Sequence, residues 1–196
     1  MINDQLDIPK SIIILRNDDP IIQDKLERER KPYLVAGYTI RDYNELPQFS
    51  FSATINCHHY QFWDVLIKII ELVSEPIALS IGDYNNLSDL SGSYSQKRLA
   101  ETLTNYSETI SNNTEIQMLF NSQNENSAFQ LFVSDCKYFE IYGSDEHELR
   151  EIMLELSLPE ISDLATVDEF PRTMTGEPGD TTQVLLNDIK NALEKT

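Results

Sequence analysis

The sequence contains few cysteines and few basic residues, and each shortage excludes a class of protein. The two cysteines, Cys57 and Cys136, cannot form a disulfide framework, and a chain of 196 residues does not need one, so we expect both to be reduced and buried. Only 15 Lys and Arg stand against 33 Asp and Glu, for a net charge of −18. Nucleic acid and anionic membranes are also negatively charged, so we expect the chain to bind neither directly.

Long hydrophobic runs are also missing. No stretch approaches the roughly 20 apolar residues that span a bilayer. The short apolar run at 11–15 is preceded by acids and followed by acids and a proline, which is not the layout of a signal peptide. We therefore expect a cytoplasmic protein.

The short motifs that identify many enzymes are absent. The sequence has no GxSxG, P-loop, GxGxxG, HExxH or CxxC. Cys57-His58-His59 is the one cluster with metal-binding or nucleophilic chemistry, but adjacent strand residues point to opposite faces, and a structural zinc would need two further ligands. We expect a non-enzyme without catalytic residues, metal or cofactor; a metal-dependent hydrolase using His58 and His59 is the less favoured alternative.

What is present indicates a folded domain. Hydrophobic residues make up 40% of the chain, with 8 Phe and 9 Tyr, which a disordered chain of this charge would lack. Three stretches around 116–120, 129–133 and 138–142 alternate apolar and polar residues and predict an antiparallel three-stranded meander. Further strands are predicted at 11–15, 33–43, 49–57 and 77–81, and helices at 20–31, 60–75, 95–110, 145–156 and 181–196.

The order and patterning of these elements predict the fold class. We expect an α+β fold in one domain, a largely antiparallel sheet with helices packed on one face. The domain is predicted to cover 1–165, followed by a linker at 166–180. The C-terminal helix at 181–196 is predicted to dock on the domain or on a partner.

Negative charge is concentrated in one part of the chain. The segment 101–169 contains 15 Asp and Glu against only Lys137 and Arg150, and so holds −13 of the net −18. Acids in the first turn of a helix, such as Asp145 and Glu148, are stabilising whatever the function, by roughly 0.3–1 kcal/mol each, and charged helix residues normally face solvent. The accumulation nevertheless costs stability by self-repulsion, which favours a functional surface.

Tyrosines accompany these acids. Tyr138 and Tyr142 are predicted on the same strand face as Glu140, and tyrosine is enriched at protein interfaces. Tyr84 and Tyr94 are further contact candidates in a predicted loop at 83–95. The predicted partner-binding residues are Asp135, Tyr138, Glu140, Tyr142, Asp145, Glu148, Glu151, Glu155, Tyr84 and Tyr94.

The acidic segment 101–169 and the strand-to-helix sequence KYFEIYGSDEHELR resemble the immunity proteins of bacterial polymorphic-toxin and contact-dependent inhibition systems. In that family a small acidic protein binds a secreted toxin domain, often a basic nuclease, and covers or distorts its active site. The resemblance implies a non-enzymatic inhibitor of a basic protein partner. An acidic adaptor that docks a host protein through the loop at 83–95 is the alternative.

Overall fold

A computed structural model describes residues 6–14, 34–83, 86–90, 92–124, 127–170, 172–175 and 179–194. The described residues form nine strands: β1 Ile12–Ile14, β2 Gly37–Asp42, β3 Phe51–Asn56, β4 Ala78–Asp83, β5 Asn86–Asp89, β6 Gln117–Gln123, β7 Ala128–Val133, β8 Phe139–Gly143 and β9 Arg172–Met174. They also form five α-helices: α1 Phe62–Ile70, α2 Gln96–Thr104, α3 Ser107–Asn112, α4 His147–Glu155 and α5 Gly179–Glu194. Short 3-10 helices lie at His59–Gln61 and Val167–Glu169.

Seven of these strands form one antiparallel sheet. Its order is β2-β3-β8-β7-β6-β4-β5, and every neighbouring pair is antiparallel. The strands β6, β7 and β8 lie side by side in chain order, which confirms the predicted meander. The predicted α+β class with a largely antiparallel sheet is also confirmed.

All helices of the core cluster pack on one face of the sheet. The ring of Phe62 in α1 stacks on Phe139 of β8 with centroids 5.1 Å apart. Residues of α2, α3, α4 and α5 join the same cluster as the alternate strand residues Ala53, Leu131 and Ile141. We call this layer of helices the helix layer.

In the part of the chain that the structure describes, the opposite side of the sheet carries no such layer of α-helices. Because strand side chains alternate, Thr54, Glu140 and Phe132, which are directly paired across β3, β8 and β7, point away from the helix layer. No helix of the described residues packs over them. We call this side the open face; its central rows are formed by Thr39, Thr54, Glu140, Phe132, Leu119 and by Arg41, Ser52, Tyr142, Gln130, Asn121.

One end of the open face is covered by chain segments, among them the short 3-10 helix Val167–Glu169. Strand β1 pairs with β9 in a separate two-stranded sheet, and Val167 joins Leu6, Ile12, Cys136 and Tyr138 in a second buried cluster. The amide of Asn56 donates to the carbonyl of Ala165 at 2.6 Å. Part of the predicted linker at 166–180 therefore belongs to the fold.

The C-terminal helix docks on the body of the domain, one of the two arrangements predicted for it. Leu185, Ile189 and Leu193 of α5 are buried in the core cluster, and Arg98 of α2 donates a hydrogen bond to the carbonyl of Leu193.

The predicted helix at 95–110 begins as expected, with the Ser95 side chain accepting a hydrogen bond from the Arg98 amide, but it is divided into α2 and α3. Thr104 and Asn105 hydrogen-bond back to carbonyls four residues earlier, a pattern that competes with helix continuation.

The predicted helix at 20–31 lies outside the described residues. None of the described helices has the length and apolar character needed to cross a bilayer.

A lysine lies in the core between the two layers. Lys137 is 5% exposed. Its ammonium donates to the carbonyl of Ile116 at 3.1 Å and lies 5.9 Å from the centre of the Phe62 ring. Burial lowers the Lys137 pKa from 10.5 to about 7, because the charged form loses its hydration.

Replacing Lys137 with methionine is expected to stabilise the protein most below pH 7. Between pH 7 and 10.5 Lys137 is neutral in the folded protein and protonated in the unfolded chain. The free energy of unfolding of the wild type therefore rises with pH relative to that of the Met variant. The rise is at most roughly 1.4 kcal/mol per pH unit. Urea unfolding at several pH values measures this difference. Lys190→Met, at an exposed site, is the control, and parallel pH profiles for wild type and Lys137→Met would contradict the assignment.

Candidate functional site

The sheet divides the predicted acidic residues between two surfaces. Helix α4 lies in the helix layer, where Leu149 and Met153 are buried in the core cluster, and it presents its acids to solvent on that side. Glu140 and Tyr142 lie on the open face, because Phe139 and Ile141 occupy the core side of the same strand. The two groups are separated by the thickness of the sheet and the helix layer, so a single flat partner surface cannot contact both.

The first surface is the outward side of α4. Glu148, Glu151 and Glu155 are exposed there at helical spacings that align them in one stripe. Their partners in the described residues are weak: His147 lies 3.5 Å from Glu151, and Lys68 lies 3.9 Å from Glu155. Exposed ion pairs of this kind contribute little to stability, so the stripe keeps its negative field.

The same side of α4 exposes a leucine. Leu154 is 80% exposed and lies three residues after Glu151 and one before Glu155. Arg150 is engaged with Glu146 at 3.3 Å and Glu160 at 2.5 Å, so its cation does not neutralise the stripe. We refer to Glu148, Glu151, Leu154 and Glu155 as the α4 stripe.

The second surface is centred on Glu140. Along β8 its neighbours on the open face are Tyr138 and Tyr142, and across the sheet it is paired with Thr54 and Phe132. Glu140 is half-buried, and no described cation forms an ion pair with it. Burial, followed by the nearby negative charge of Asp168, raises the Glu140 pKa.

An aromatic cluster flanks Glu140 on the side away from Tyr138. The ring of Tyr142 lies 5.0 Å from Tyr43 and 5.9 Å from Phe49, with Tyr43 edge-on. The Tyr43 hydroxyl donates to Glu45 at 3.4 Å. We call Tyr43, Phe49 and Tyr142 the aromatic corner; its contacts fix the Tyr142 ring beside the carboxylate.

Tyr138, predicted as an aromatic anchor for a partner, has almost no accessible surface in this structure. It is 6% exposed, because the segment around Val167 packs over it. Its hydroxyl donates to Asp168 at 3.0 Å, and a further interaction with this hydroxyl partly offsets the rise in the Glu140 pKa. Tyr138 therefore holds the Asp168 carboxylate, and its own side chain is almost fully buried.

Three other predicted contact residues have different outcomes. Tyr94 is 6% exposed, because its backbone pairs with Ile77 at the end of the sheet; its contact with a partner stays a prediction. Tyr84 lies outside the described residues. Asp135 is half-exposed in the turn between β7 and β8, where it accepts the amide of Cys136 at 2.8 Å.

Asp145 is exposed and has a local structural role. Its carboxylate accepts the backbone amide of His147 at 2.9 Å, which satisfies an orphan donor at the start of α4. Asp145 therefore serves the helix terminus, as its position in the sequence suggested.

The cluster at 57–59 is built into the core margin. Cys57 is buried and free, and burial raises its pKa. The His58 Nδ1 accepts the Asp7 amide at 3.1 Å, and its ring stacks on Tyr60 at 5.3 Å. The described residues contain no group of three or more His, Cys, Asp or Glu arranged to hold a metal ion.

The sequence prediction missed several residues of the open face. Phe132 and Leu119 lie beside each other on this face, at the strand positions that alternation assigns to polar residues. An apolar residue at a position where alternation expects a polar one was the feature of the sequence that could have indicated them. Tyr43 and Phe49 lie in segments flanking a loop, and the sequence gives no indication that they meet Tyr142.

No protein-family model matches the chain, and no curated protein or solved structure matches it significantly.

Replacing Glu140 with glutamine is expected to raise the free energy of unfolding at neutral pH. Folding raises the Glu140 pKa, so the folded protein disfavours the charged carboxylate. The free energy of unfolding of the wild type therefore falls as pH rises through the folded pKa. Glu140→Gln has no carboxylate to ionise and does not lose this stability. Below the unfolded pKa the two proteins should converge. Urea unfolding at acidic and neutral pH measures the difference.

The control is Glu151→Gln, which removes the same charge from an exposed helix position. It should change stability little. A Glu140→Gln variant that is less stable than wild type at neutral pH would show that the carboxylate is satisfied in the free protein.

Proposed function

We propose that this chain is a non-enzymatic acidic inhibitor of the immunity type, which binds and neutralises a basic cognate toxin domain such as a nuclease. The observation that supports this proposal best is the open face: a half-buried carboxylate without a cationic partner in the described residues, set beside half-buried aromatic rings. Such a mixture of aromatic, apolar and acidic groups suits a basic protein surface.

The dimensions of the open face suit a protein partner. Seven strands at about 4.8 Å spacing make the sheet about 29 Å wide, which is the scale of a standard interface burying about 800 Å² on each partner. The described cation in its central rows is Arg41, on β2, separated from Tyr142 by the intervening strand β3.

The two surfaces have different roles in this proposal. The α4 stripe and the net charge of −18 attract a cationic partner over a distance, which raises association rates to as much as about 10⁸–10⁹ M⁻¹s⁻¹. The open face makes the contacts that decide how long the complex lasts. Rapid capture protects the producing cell before the toxin acts.

The test begins with the reading frames that neighbour this gene. One that encodes a basic domain should arrest growth when expressed alone and should lose that effect when this chain is co-expressed. A toxin that stays active in the presence of the folded chain, with no complex on size-exclusion chromatography, would overturn the proposal for that pair.

Changes on the two surfaces should separate kinetically in the complex. Glu148→Lys, Glu151→Lys and Glu155→Lys together should lower the association rate by about tenfold at low salt and have little effect at about 0.5 M salt. Glu140→Gln with Tyr142→Ala should mainly raise the dissociation rate, because these contacts lie in the buried interface. Surface plasmon resonance measures both rates.

A matched charge reversal controls for net charge alone. Glu101→Lys, Glu108→Lys and Asp188→Lys change the total charge by the same amount at exposed positions on other helices. An equal fall in the association rate would assign steering to the whole molecule and not to the α4 stripe. Association rates insensitive to salt and to both reversals would contradict electrostatic steering.

A further inference from the structure

We propose that Glu140 receives an arginine side chain of the partner, whose guanidinium is bound by the carboxylate and lies flat against the neighbouring aromatic rings. This inference rests on the proposed function, since it names the chemical group that the partner inserts into the open face. It also predicts selection of arginine over lysine.

The first argument is the electrostatic state of Glu140 in the free protein. Its carboxylate is half-buried and is repelled by the negative charge of Asp168, while both carboxylates also act on the Tyr138 hydroxyl. No described cation forms an ion pair with Glu140. Asp168 accepts the Tyr138 hydroxyl, and Arg172 donates to the Asp168 backbone carbonyl at 2.8 Å. A cation supplied by the partner would offset the repulsion between Glu140 and Asp168, and it would displace no ion pair formed by the described residues.

The second argument is the shape of the surroundings. Phe132 is directly across the strand from Glu140, and Tyr142 is two residues along. Tyr43 and Phe49 hold the Tyr142 ring at 5.0 and 5.9 Å. The carboxylate is thus bordered by aromatic rings on two sides of an otherwise flat sheet.

These surroundings favour arginine over lysine. A guanidinium is planar, binds a carboxylate through two parallel hydrogen bonds, and stacks on aromatic faces, whereas an ammonium is compact and strongly hydrated. Stacking of a cation on a ring at an exposed site contributes a preference of roughly two- to fivefold in affinity.

A protein segment fits the site better than a free small molecule. Small ligands bind in concave pockets that bury most of their surface. Two cavities formed by described residues lie elsewhere: one of about 200 Å³ between the β4–β5 hairpin and α5, and one of about 70 Å³ near the start of α4. An arginine presented by a larger partner needs no such enclosure.

The test uses two short peptides of equal length and charge, one containing arginine and the other lysine at the same positions. The full-length, isotope-labelled chain is titrated with each peptide and followed by NMR. The arginine peptide should shift the amide resonances of β3, β7 and β8, with an affinity about two- to fivefold higher than the lysine peptide. Glu140→Gln, which keeps the shape of the side chain, should abolish the difference, and Glu151→Gln should retain it.

The outcomes distinguish this inference from the proposed function. Equal binding of both peptides, or no shift with the arginine peptide, overturns the arginine site. Shifts confined to α4, lost in Glu151→Gln, also overturn it, but the acidic inhibitor proposal then stands with the α4 stripe as its contact. Conversely, an arginine-selective open face in a chain that fails to neutralise the neighbouring toxin leaves the arginine site intact and removes the inhibitor function.

Discussion

The structure depends on one-sided burial of its central sheet. Phe62 stacks on Phe139, and this contact places α1 against the middle strands and the other helices around it. Because side chains alternate along each strand, every residue of β3, β7 and β8 is assigned either to the core or to the open face. The position of a single acid such as Glu140 is therefore set by the burial of its neighbours Phe139 and Ile141.

Period-two alternation explains why much of the fold was predictable from the sequence. In β6, β7 and β8 most apolar positions mark the core face, despite the off-phase Leu119 and Phe132. The meander and the open-face position of Glu140 and Tyr142 follow from this alternation. Helices α1 and α4 were similarly marked by apolar stripes. These features depend on local spacing, which a sequence displays directly.

The burial of Tyr138 and Tyr94 and the formation of the aromatic corner were not predictable, because each depends on contacts between distant segments. Tyr138 has the same strand phase as Tyr142, yet residues near Val167 cover only Tyr138. Tyr94 is drawn inward by backbone pairing with Ile77, a partner 17 residues away that no local pattern identifies. The aromatic corner likewise joins segments whose contact depends on strand register, and the separation of Glu140 from the α4 stripe depends on which side of the sheet the helix packs.

In the proposed function, the half-buried carboxylate of Glu140 is the group whose environment the partner completes. A neutral residue at this position would relieve both the desolvation and the repulsion from Asp168, so the acid lowers the stability of the free protein. Functional surfaces commonly contain residues that are suboptimal for stability, because binding requires groups whose interactions are not satisfied within the chain. The acids of the α4 stripe differ in this respect, since exposed carboxylates cost little individually and act through their summed field. For the proposed inhibitor, the two surfaces would therefore supply two separate physical effects, attraction at a distance and a specific contact at short range.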